Sequence, residues 1–368
     1  MSAARRTVGI EEEMFLVDPA THAVVPRSGG AVTAEGRDGD ADDLVEQEMF
    51  LEQVETTTEP CEVLEDLRRA ARTSRTHALR DAEEVGATLM ASSTVVLGPA
   101  GRLVPDDRYA TMVERHRSIA EEVVVNGMHV HVGVDCAEEG VRVLDRMAVW
   151  LPVLQALSAA SPVEHGVDTG FASWRAERWE RWPTAGPAQP FGTPEAYEAM
   201  VADLVESGAA VDDGMVYLDA RLGRGLPTVE VRVADVQADL DDAVVLAGLT
   251  RALVATCAET TTPVQRVETL RVARWRARRY GLTDRLLDPS TARLRPAADV
   301  VANLLELVRP ALEEAGDVEI VDDAVRGWAA TGGHARRLRE VAARSPETLP
   351  ARLSQVTVQG LDGVVSGS

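Results

Sequence analysis

Three segments of the chain each place two ionisable side chains two positions apart. They are Glu11-Glu12-Glu13, His129-Val130-His131 and Glu230-Val231-Arg232. Side chains two positions apart in a β-strand project from the same face. Carboxylates and imidazole bind divalent cations, and guanidinium binds the oxygens of phosphates or carboxylates. If the three segments are strands of one sheet, the spacing predicts a face that binds a divalent cation together with a phosphate.

Apolar residues at alternate positions predict the strands that would hold these side chains. Beside the two histidines, for example, Met128, Val130, Val132 and Val134 occupy the opposite parity. Six segments read as strands: Val8–Val17, Phe50–Thr57, Leu89–Leu97, Met128–Val134, Met215–Leu222 and Thr228–Asp235. We expect the polar faces of four of these strands, the first and the last three, to lie on one side of a single sheet and to present eight side chains: Glu11, Glu13, His129, His131, Asp219, Arg221, Glu230 and Arg232.

Helical periodicity predicts helices between the strands and a mainly helical last third of the chain from about residue 240. These helices are Glu62–Gly86, Tyr109–Val124, Val141–Ala160, Pro194–Ser207, Leu240–Thr260, Val264–Tyr280 and several beyond Pro296. Gly223, Gly225 and Pro227 mark a turn between two strand segments, which predicts an antiparallel hairpin. The pattern favours an α+β fold in a single domain over 1–368. We expect the Gly- and Asp-rich segment 29–43 to be a solvated loop.

Composition excludes several classes of function. The chain has 368 residues, with 60 Asp and Glu against 38 Lys and Arg, and its net charge of −22 disfavours binding to nucleic acid or anionic membranes. All 38 basic residues are Arg, which excludes a Schiff-base lysine and the lysine of a P-loop. The three cysteines are widely spaced, and neither a signal segment nor a membrane span is evident, so we expect a cytoplasmic protein.

Each of the three segments also has a reading without function. The two histidines could be a hydrogen-bonded pair, and the acidic run near the start could be a solvated surface. Glu230 and Arg232 could form a surface ion pair, which contributes roughly 0.2–1 kcal/mol to stability. The argument for a site therefore depends on all three segments sharing one face of the sheet.

The same residues lie in four ordered blocks that resemble the carboxylate-amine ligase (YbdK) family, the type 2 glutamate-cysteine ligase-like enzymes. The resemblance extends from about residue 7 to about residue 350. The first two blocks are Gly9–Asp18 and Gly127–Val134. The third runs from Ser158–Pro162 through Asp168–Arg175 to Trp182–Pro187, and the fourth joins Asp219–Arg221 to Pro227–Asp235.

The resemblance implies a glutamine synthetase-like catalytic core, in which an antiparallel sheet binds ATP and Mg²⁺ on its concave face and packs helices on its convex face. Carried over by position, it implies a set of metal ligands: Glu11, Glu13, Glu48, Glu55, His129 and Glu230. Arg232, Glu230 and Arg221 are then the expected catalytic residues. We expect Arg175, Arg232 and Thr228 to contact the nucleotide. No covalent protein intermediate is required.

Two of these positions do not fit the simple strand pattern. Glu55 shares a face with Leu51 and Gln53 in the predicted strand, whereas Glu48 precedes that strand with the opposite parity. Both carboxylates can reach one site only if Glu48 lies in the loop at the mouth of the site or a bulge intervenes. The segment Trp174–Trp182 has two readings as well, a nucleotide-stacking surface or a helix that packs its indoles.

The resemblance implies an ATP-dependent ligase that activates a carboxylate, such as the γ-carboxylate of glutamate, as an acyl phosphate for attack by an amine such as that of cysteine. Ala160 and Val163 replace an Asn and a Phe usual in the family, which affects substrate recognition. Two alternatives remain open at this point: a metal-dependent hydrolase that uses His129 and His131, and a noncatalytic metabolite-binding relative. We expect small amino acid and amine substrates, and family likeness implies a homodimer.

Overall fold

The computed structural model describes residues 5–31, 45–345 and 347–361 of the chain. They form an α+β fold with one seven-stranded sheet and two separate two-stranded hairpins. The strands are β1 (Val8–Val17), β2 (Val45–Gln47), β3 (Gln53–Thr57), β4 (Thr88–Met90), β5 (Gly127–Gly133), β6 (Val163–Glu164), β7 (Val167–Asp168), β8 (Ala220–Leu222), β9 (Thr228–Asp235), β10 (Arg285–Leu287) and β11 (Leu294–Pro296).

Helices occupy most of the remaining described chain. They are α1 (Ser28–Ala31), α2 (Leu64–Glu84), α3 (Asp107–His116), α4 (Ser118–Glu122), α5 (Ala137–Met147), α6 (Leu151–Ser158), α7 (Trp174–Trp179), α8 (Pro194–Glu206), α9 (Leu240–Glu259), α10 (Val267–Tyr280), α11 (Ala297–Ala315), α12 (Val318–Thr331), α13 (Gly333–Arg344) and α14 (Thr348–Val358). A 3-10 turn covers Asp213–Met215.

The main sheet has the order β2-β3-β1-β5-β9-β8, and β4 also pairs with β1. Neighbouring strands along this path run antiparallel. The register aligns Glu11 with His129 across β1 and β5, and His131 with Glu230 across β5 and β9. Residues directly opposite in a sheet share a face. The pairing thus places the three ionisable segments side by side at the centre of the sheet.

The apolar parity of these strands packs against helices, as the alternation predicts. Ile10 of β1, Val130 of β5 and Val231 of β9 belong to one buried core. Helices α2, α5, α6, α9, α11 and α12 contribute side chains to the same core. The opposite face is covered at one end by a second core that includes Phe15 and Trp182. The central part of that second face carries the ionisable side chains.

All six predicted strand segments overlap a strand of the main sheet, but three of these strands are shorter than predicted. β1 and β9 have the predicted bounds. In the segments Phe50–Thr57, Leu89–Leu97 and Met215–Leu222, only the residues of β3, β4 and β8 are extended. The remaining residues of these segments lie in turns, loops and the 3-10 turn and form no strand of the main sheet. The predicted hairpin between β8 and β9 is confirmed.

Two predicted helices are each divided. The segment Tyr109–Val124 breaks at Arg117, whose φ of 51° lies in the left-handed region. The segment Val141–Ala160 becomes α5 and α6, and Pro152 occupies the first turn of α6, where a proline needs no hydrogen-bond acceptor. The predicted loop 29–43 is wrong at its start, because residues 29–31 belong to α1. The rest of that loop lies outside the described residues.

A bilayer-spanning segment needs a helix that is both long and apolar, and the part of the chain that the structure describes contains no helix that meets both conditions.

Candidate active site

The six predicted metal ligands lie together on the polar face of the main sheet. Their donor atoms, with those of His131, form three overlapping groups in which the atoms lie within 4.8 Å of one another. The groups are Glu11, His131 and Glu230; Glu11, Glu55 and His129; and Glu13, Glu48 and Glu55. One group consists only of carboxylates, and the other two add one imidazole each. This donor set fits hard divalent cations such as Mg²⁺ or Mn²⁺.

The structure places Glu48 by the first of the two predicted routes. Glu48 follows β2 in the loop that leads to β3, so the strand parity of Glu55 does not apply to it. Glu55 lies directly opposite Glu13 in the register of β3 and β1. The loop brings the Glu48 carboxylate to these two side chains. The loop position therefore lets residues of opposite parity reach one site.

Glu11 joins the two histidines. Its carboxylate accepts from Nδ1 of His129 at 2.9 Å and lies 3.0 Å from Nε2 of His131. Burial and the positive charge of Arg232 lower the pKa of His129 to about 4, although Glu11 opposes them. The imidazole of His129 is then neutral at neutral pH, which is the form that binds a metal. The pKa of His131 is raised, because the interaction with Glu11 outweighs the effect of burial.

Glu13 and Glu55 are crowded by other carboxylates. Burial and the charge of Glu48 raise the pKa of Glu13 to about 8. Burial and the charges of Glu48, Glu11 and Glu13 raise the pKa of Glu55 well above its usual value. Carboxylates that repel one another in this way hold protons unless a cation compensates their charge. The group is thus suited to a cation rather than to a set of internal ion pairs.

Glu230 is paired with two arginines. Nε of Arg221 donates to one carboxylate oxygen at 2.6 Å, and Nη2 donates to the other at 3.2 Å. Arg232 also donates to Glu230. Burial raises the pKa of Glu230, but the charges of Arg232 and Arg221 lower it by a larger amount, and the resulting pKa is about 2. All three predicted catalytic residues are therefore in direct contact at one end of the ligand cluster.

Arg175 is buried next to Arg232. Its Nη2 donates to the backbone carbonyl of Arg232 at 3.3 Å. Its guanidinium lies so close to Gly127 that a Cβ there would stand 2.1 Å from Nη2. The Nε atoms of Arg175 and Arg232 are buried and have no hydrogen-bond partner among the described residues. Buried donors without partners are the groups that an anionic ligand would satisfy.

Thr228, the third residue predicted to contact nucleotide, begins β9 at the border of the cluster. Its hydroxyl lies 3.2 Å from Nδ1 of His131. This contact makes Thr228 a neighbour of the second histidine and sets the orientation of that ring. Among the described residues, no contact links Thr228 to Arg175 or Arg232 in the hydrogen-bond network.

Asp219 does not belong to the cluster, contrary to the prediction from strand parity. β8 begins only at Ala220, so the alternation of faces does not extend back to Asp219. The carboxylate instead pairs with Nε of Arg274 at 2.8 Å, in the layer formed by α10. Burial raises the pKa of Asp219, although Arg274 partly offsets this effect.

Tyr217 is a further neighbour of the site that the sequence did not predict. The guanidinium carbon of Arg232 lies 5.9 Å from the centre of the Tyr217 ring. Trp179 and Trp182 pack against the same ring, with centroids at 4.6 and 5.4 Å. The two indoles therefore pack with each other and with Tyr217, which agrees with the packing interpretation of this segment. Strand parity gives no signal for Tyr217, because this residue precedes β8 as Asp219 does.

The two positions that depart from the family pattern have distinct surroundings. Ala160 donates its backbone N–H to Asp235 at 2.8 Å, and the same carboxylate accepts from Ser161 and Ser173. Val163 is buried in the second core. Neither side chain supplies a polar group to the cluster.

Of two cavities in the described part of the chain, one borders a predicted site residue and the other does not. One, of about 350 Å³, borders Arg221 between α8 and the turn that joins β8 to β9. Its volume is in the range of small-molecule sites. The other, of about 910 Å³, lies between α2, β4 and α14, and none of its lining residues is a predicted site residue.

The chain is similar in sequence to one protein family and to several of its named members. The family model described as glutamate-cysteine ligase family 2 matches residues 7–354. A Streptomyces coelicolor protein named "Putative glutamate--cysteine ligase 2" is 44% identical over 345 residues, which cover 92% of this chain and 95% of that protein. A Nocardioides protein named "Putative glutamate--cysteine ligase 2-1" is 45% identical over 330 residues, or 86% of each chain.

Solved structures share the fold at low sequence identity. A Francisella tularensis glutamate–cysteine ligase in complex with AMP has a TM-score of 0.74 and 12% identity, with 99% of this chain and 91% of that chain covered. A bifunctional glutathione synthetase from Pasteurella multocida has a TM-score of 0.71 and 18% identity, with 96% of this chain and 52% of that chain covered. The predicted α+β fold is confirmed by these neighbours.

Proposed function

The chain belongs to glutamate-cysteine ligase family 2, and we propose that it uses ATP to join the γ-carboxylate of glutamate to an amine such as that of cysteine. The observation that carries this proposal is the single cluster of carboxylates and imidazoles with arginines at its edge. Its relatives are named glutamate–cysteine ligases, and the similar Francisella structure binds AMP. The chain is accordingly a ligase that forms carbon–nitrogen bonds.

The donor set fits Mg²⁺, the cation that would accompany ATP. Three overlapping groups of oxygen and nitrogen donors are present, and a bound cation would reverse the raised pKa values of Glu13 and Glu55. We assign the metal-binding role to Glu11, Glu13, Glu48, Glu55, His129 and Glu230. Bound Mg²⁺ would neutralise phosphate charge and orient the phosphate for in-line transfer.

The arginines have a separate role at the reacting groups. An ATP γ-phosphate and a substrate carboxylate repel each other, so positive charge must be supplied before they can react. We assign this role to Arg232, with Arg175 and Thr228 as further contacts to the nucleotide. Arg221 holds Glu230 with a two-point hydrogen bond and thereby sets the position of Arg232. Donors that are fixed before the ligand arrives cost little reorganisation during the reaction.

The reaction then proceeds in two balanced steps. A carboxylate oxygen attacks the γ-phosphorus, the bond to ADP breaks, and an acyl phosphate forms. The amine nitrogen next attacks the acyl carbon, loses a proton, and expels inorganic phosphate as the amide bond forms. No side chain of the protein is covalently modified in either step.

An ADP-release screen over pairs of amino acids and amines, with ATP and Mg²⁺, tests the proposal. We expect ADP release that requires both a carboxylate substrate, glutamate first, and an amine. Release of phosphate in the absence of an amine would support the hydrolase alternative, which uses His129 and His131. Both histidines contact Glu11 and thus belong to the mixed cluster. If no pair of substrates releases ADP, the ligase proposal is wrong.

The variant Glu230→Gln provides the matched test of the site. Its turnover should fall by a factor of about 10² or more, because Arg221 and Arg232 lose the charge that positions them. Removal of one partner from a buried ion pair also costs about 3–5 kcal/mol of stability, so folding is checked by circular dichroism. Arg336→Lys is the control, since Arg336 is exposed on α13 and pairs with the exposed Glu340 of the same helix. Its turnover should be unchanged.

A further inference from the structure

Glu12 is a charged residue on the otherwise apolar face of β1, and it forms a buried ion pair with Arg75 of α2. Its side chain projects away from Glu11 and Glu13 and is 1% exposed, as is the side chain of its partner, Arg75. Nε of Arg75 donates to one carboxylate oxygen at 2.9 Å, and Nη2 donates to the other at 2.6 Å. This two-point geometry is the most directional form of an arginine–carboxylate pair.

Arg75 also holds the chain that follows β9. Its Nη2 donates to the carbonyl of Gln237 at 2.7 Å, and its Nη1 donates to the carbonyl of Ala238 at 3.0 Å. One guanidinium on α2 therefore holds β1 at Glu12 and the exit of β9 at two backbone carbonyls. Arg75 and Glu12 are hereafter called the clamp.

The clamp crosses the three central strands of the sheet. Glu12 lies opposite Met128 of β5, and Met128 lies opposite Ala234 of β9. The clamp thus spans β1, β5 and β9 on the helical face, directly behind the polar face. Glu11 and Glu13 flank the clamped residue in β1. A shift of β1 relative to β9 would change the distance between these carboxylates and Glu230.

A buried ion pair is a poor means of adding stability. The cost of removing both charges from water is about as large as their attraction, and apolar residues of similar size are often equally stable at such positions. What the pair provides is a fixed, directional connection between α2, β1 and β9. Residues that orient the ligands of a metal site affect the affinity of that site strongly without touching the metal.

We propose that Arg75, through Glu12, is a positioning residue that holds Glu11 and Glu13 at the distance from Glu230 that cation binding requires. The inference rests on the proposed function, because it uses the metal-binding role assigned there. It predicts that loss of the clamp weakens cation binding even where the protein remains folded. Neither clamp residue contacts the cation or the nucleotide.

The test uses Mn²⁺ alone, with binding followed by the loss of the electron paramagnetic resonance signal of free Mn²⁺. The variant Glu12→Leu with Arg75→Met replaces the clamp by apolar side chains of similar size. We expect it to fold, as judged by circular dichroism and thermal unfolding, and to bind Mn²⁺ about 10–100-fold more weakly than the unmodified protein. Arg75→Lys keeps the charge, lacks the planar fork, and should weaken binding in the same direction.

The chain offers a matched control pair. Arg251 and Asp317 are buried to a similar degree, and Arg251 also donates to two backbone carbonyls, those of Arg6 and Glu62. This pair joins α9 to the start of α12 and lies outside the ligand cluster. Arg251→Met with Asp317→Leu removes the same kind of interaction. Its affinity for Mn²⁺ should equal that of the unmodified protein.

The outcomes separate this inference from the proposed function. If the unmodified protein binds Mn²⁺ and both clamp variants bind it as tightly as the unmodified protein does, the positioning role is wrong while the proposed function stands. An equal loss of affinity in the control pair would also overturn the inference, because the effect would then be general destabilisation. If the unmodified protein binds no Mn²⁺, the metal-binding role and the inference both fail.

Discussion

Arg232 combines a strong internal contact with an unsatisfied donor. It donates to Glu230, and its Nη1 lies 3.4 Å from Nδ1 of His129. Burial lowers the pKa of Arg232, but the charge and hydrogen bond of Glu230 raise it by a larger amount. The net shift is upward, so the guanidinium keeps its charge. A permanently charged, planar group fixed at the edge of a carboxylate cluster is suited to bind the oxygens of a transferred phosphate.

Arg232→Lys should therefore reduce turnover strongly. A lysine ammonium keeps the charge but cannot reproduce the planar fork that contacts Glu230 and an incoming anion together. We expect kcat to fall by about 10²-fold or more in the ADP-release assay, a loss typical for removal of one fixed donor at a reacting oxygen. Arg276→Lys serves as control, because Arg276 pairs with Asp284 at a distance from the cluster. Rates equal to those of the unmodified protein would mean that Arg232 has only a structural role.

Most individual site residues could be predicted because strand parity and the family blocks select the same positions. Glu11, His129 and Glu230 lie together as the alternation predicts. Asp219 is the exception, since the sequence does not reveal that the strand predicted from Met215 begins only at Ala220, after Asp219. The partner of Glu12 could not be predicted either, because Arg75 lies 63 residues away and only the packing of α2 brings it there.

At the scale of elements, the start of β5 depends on a close approach to α7. Gly127 of β5 lies opposite Asp235 of β9, and the Arg175 guanidinium occupies the space where a Cβ would project. Gly127 donates its backbone N–H to Glu13 at 2.5 Å. The absence of a side chain at this one position thus lets an arginine from α7 lie against the strand beside a predicted metal ligand.

Gly127→Ala should act through Arg175. A methyl group 2.1 Å from Nη2 forces the guanidinium to move, so the affinity for the nucleotide should fall by roughly tenfold or more. Arg175→Met should cause a similar loss, and the double variant should be no worse than the single ones, because both changes remove the same contact. Binding of ATP to each variant is measured by calorimetry. Gly327→Ala, on a helix with open space around it, is the control.

Additive losses in the double variant would show that Gly127 acts independently of Arg175. An unchanged affinity in Gly127→Ala would show that the strand or the arginine adjusts without cost. Either result would show that Gly127 does not support Arg175, whereas unchanged affinity in Arg175→Met would remove Arg175 from the proposed nucleotide contacts.

The junction of β5 and α5 is held by a carboxylate whose pKa is lowered. The pKa of Glu139 lies below its usual value, because Arg6 donates to it, and Asp135 adds a backbone N–H. A carboxyl group whose pKa is lower in the folded state stabilises the fold above its unfolded pKa of about 4.3. That contribution is lost as the pH falls through the lower folded value.

Glu139→Gln should consequently destabilise the protein in a pH-dependent manner. At pH 7 the free energy of unfolding should fall by about 1–3 kcal/mol, the range for hydrogen bonds to charged groups. The difference from the unmodified protein should shrink as the pH falls below about 4.3, because the Glu139 carboxyl group then takes up a proton in the unfolded state before it does so in the folded state. Urea unfolding at a series of pH values measures it. The exposed Glu198→Gln should differ by less than about 0.5 kcal/mol throughout.

The order of strands and helices was accessible from periodicity, whereas the lengths of short elements were not. β1 and β9 alternate along their whole length and have the predicted bounds. The predicted segment Leu89–Leu97 overlaps β4 only at its start, and just two of its residues, Leu89 and Met90, pair with β1. β2 was missed, because three residues are too few for a period to be recognised. Pairing partners, not local pattern, decide where such a strand stops.

At the scale of the whole molecule, the sheet and the helical last third share one core. Val8 of β1 and Val231 of β9 belong to the same buried cluster as Leu249 of α9, Leu304 of α11 and Val325 of α12. The helices after residue 240 therefore complete the face of the sheet that opposes the ligand cluster. We propose on this ground that the chain folds as the single domain that its sequence predicts.

Leu304→Ala tests whether the sheet and the C-terminal helices unfold together. Leu304 is fully buried, and loss of such a side chain costs about 2–5 kcal/mol. In one cooperative unit, hydrogen exchange at the amides of β1 should accelerate by the same free energy as exchange in α11, although β1 is almost 300 residues away in sequence. Mass spectrometry of peptides from both regions measures this. The exposed Leu226→Ala should leave both regions unchanged, and faster exchange confined to α11 and α12 would show that the helices form a separate unit.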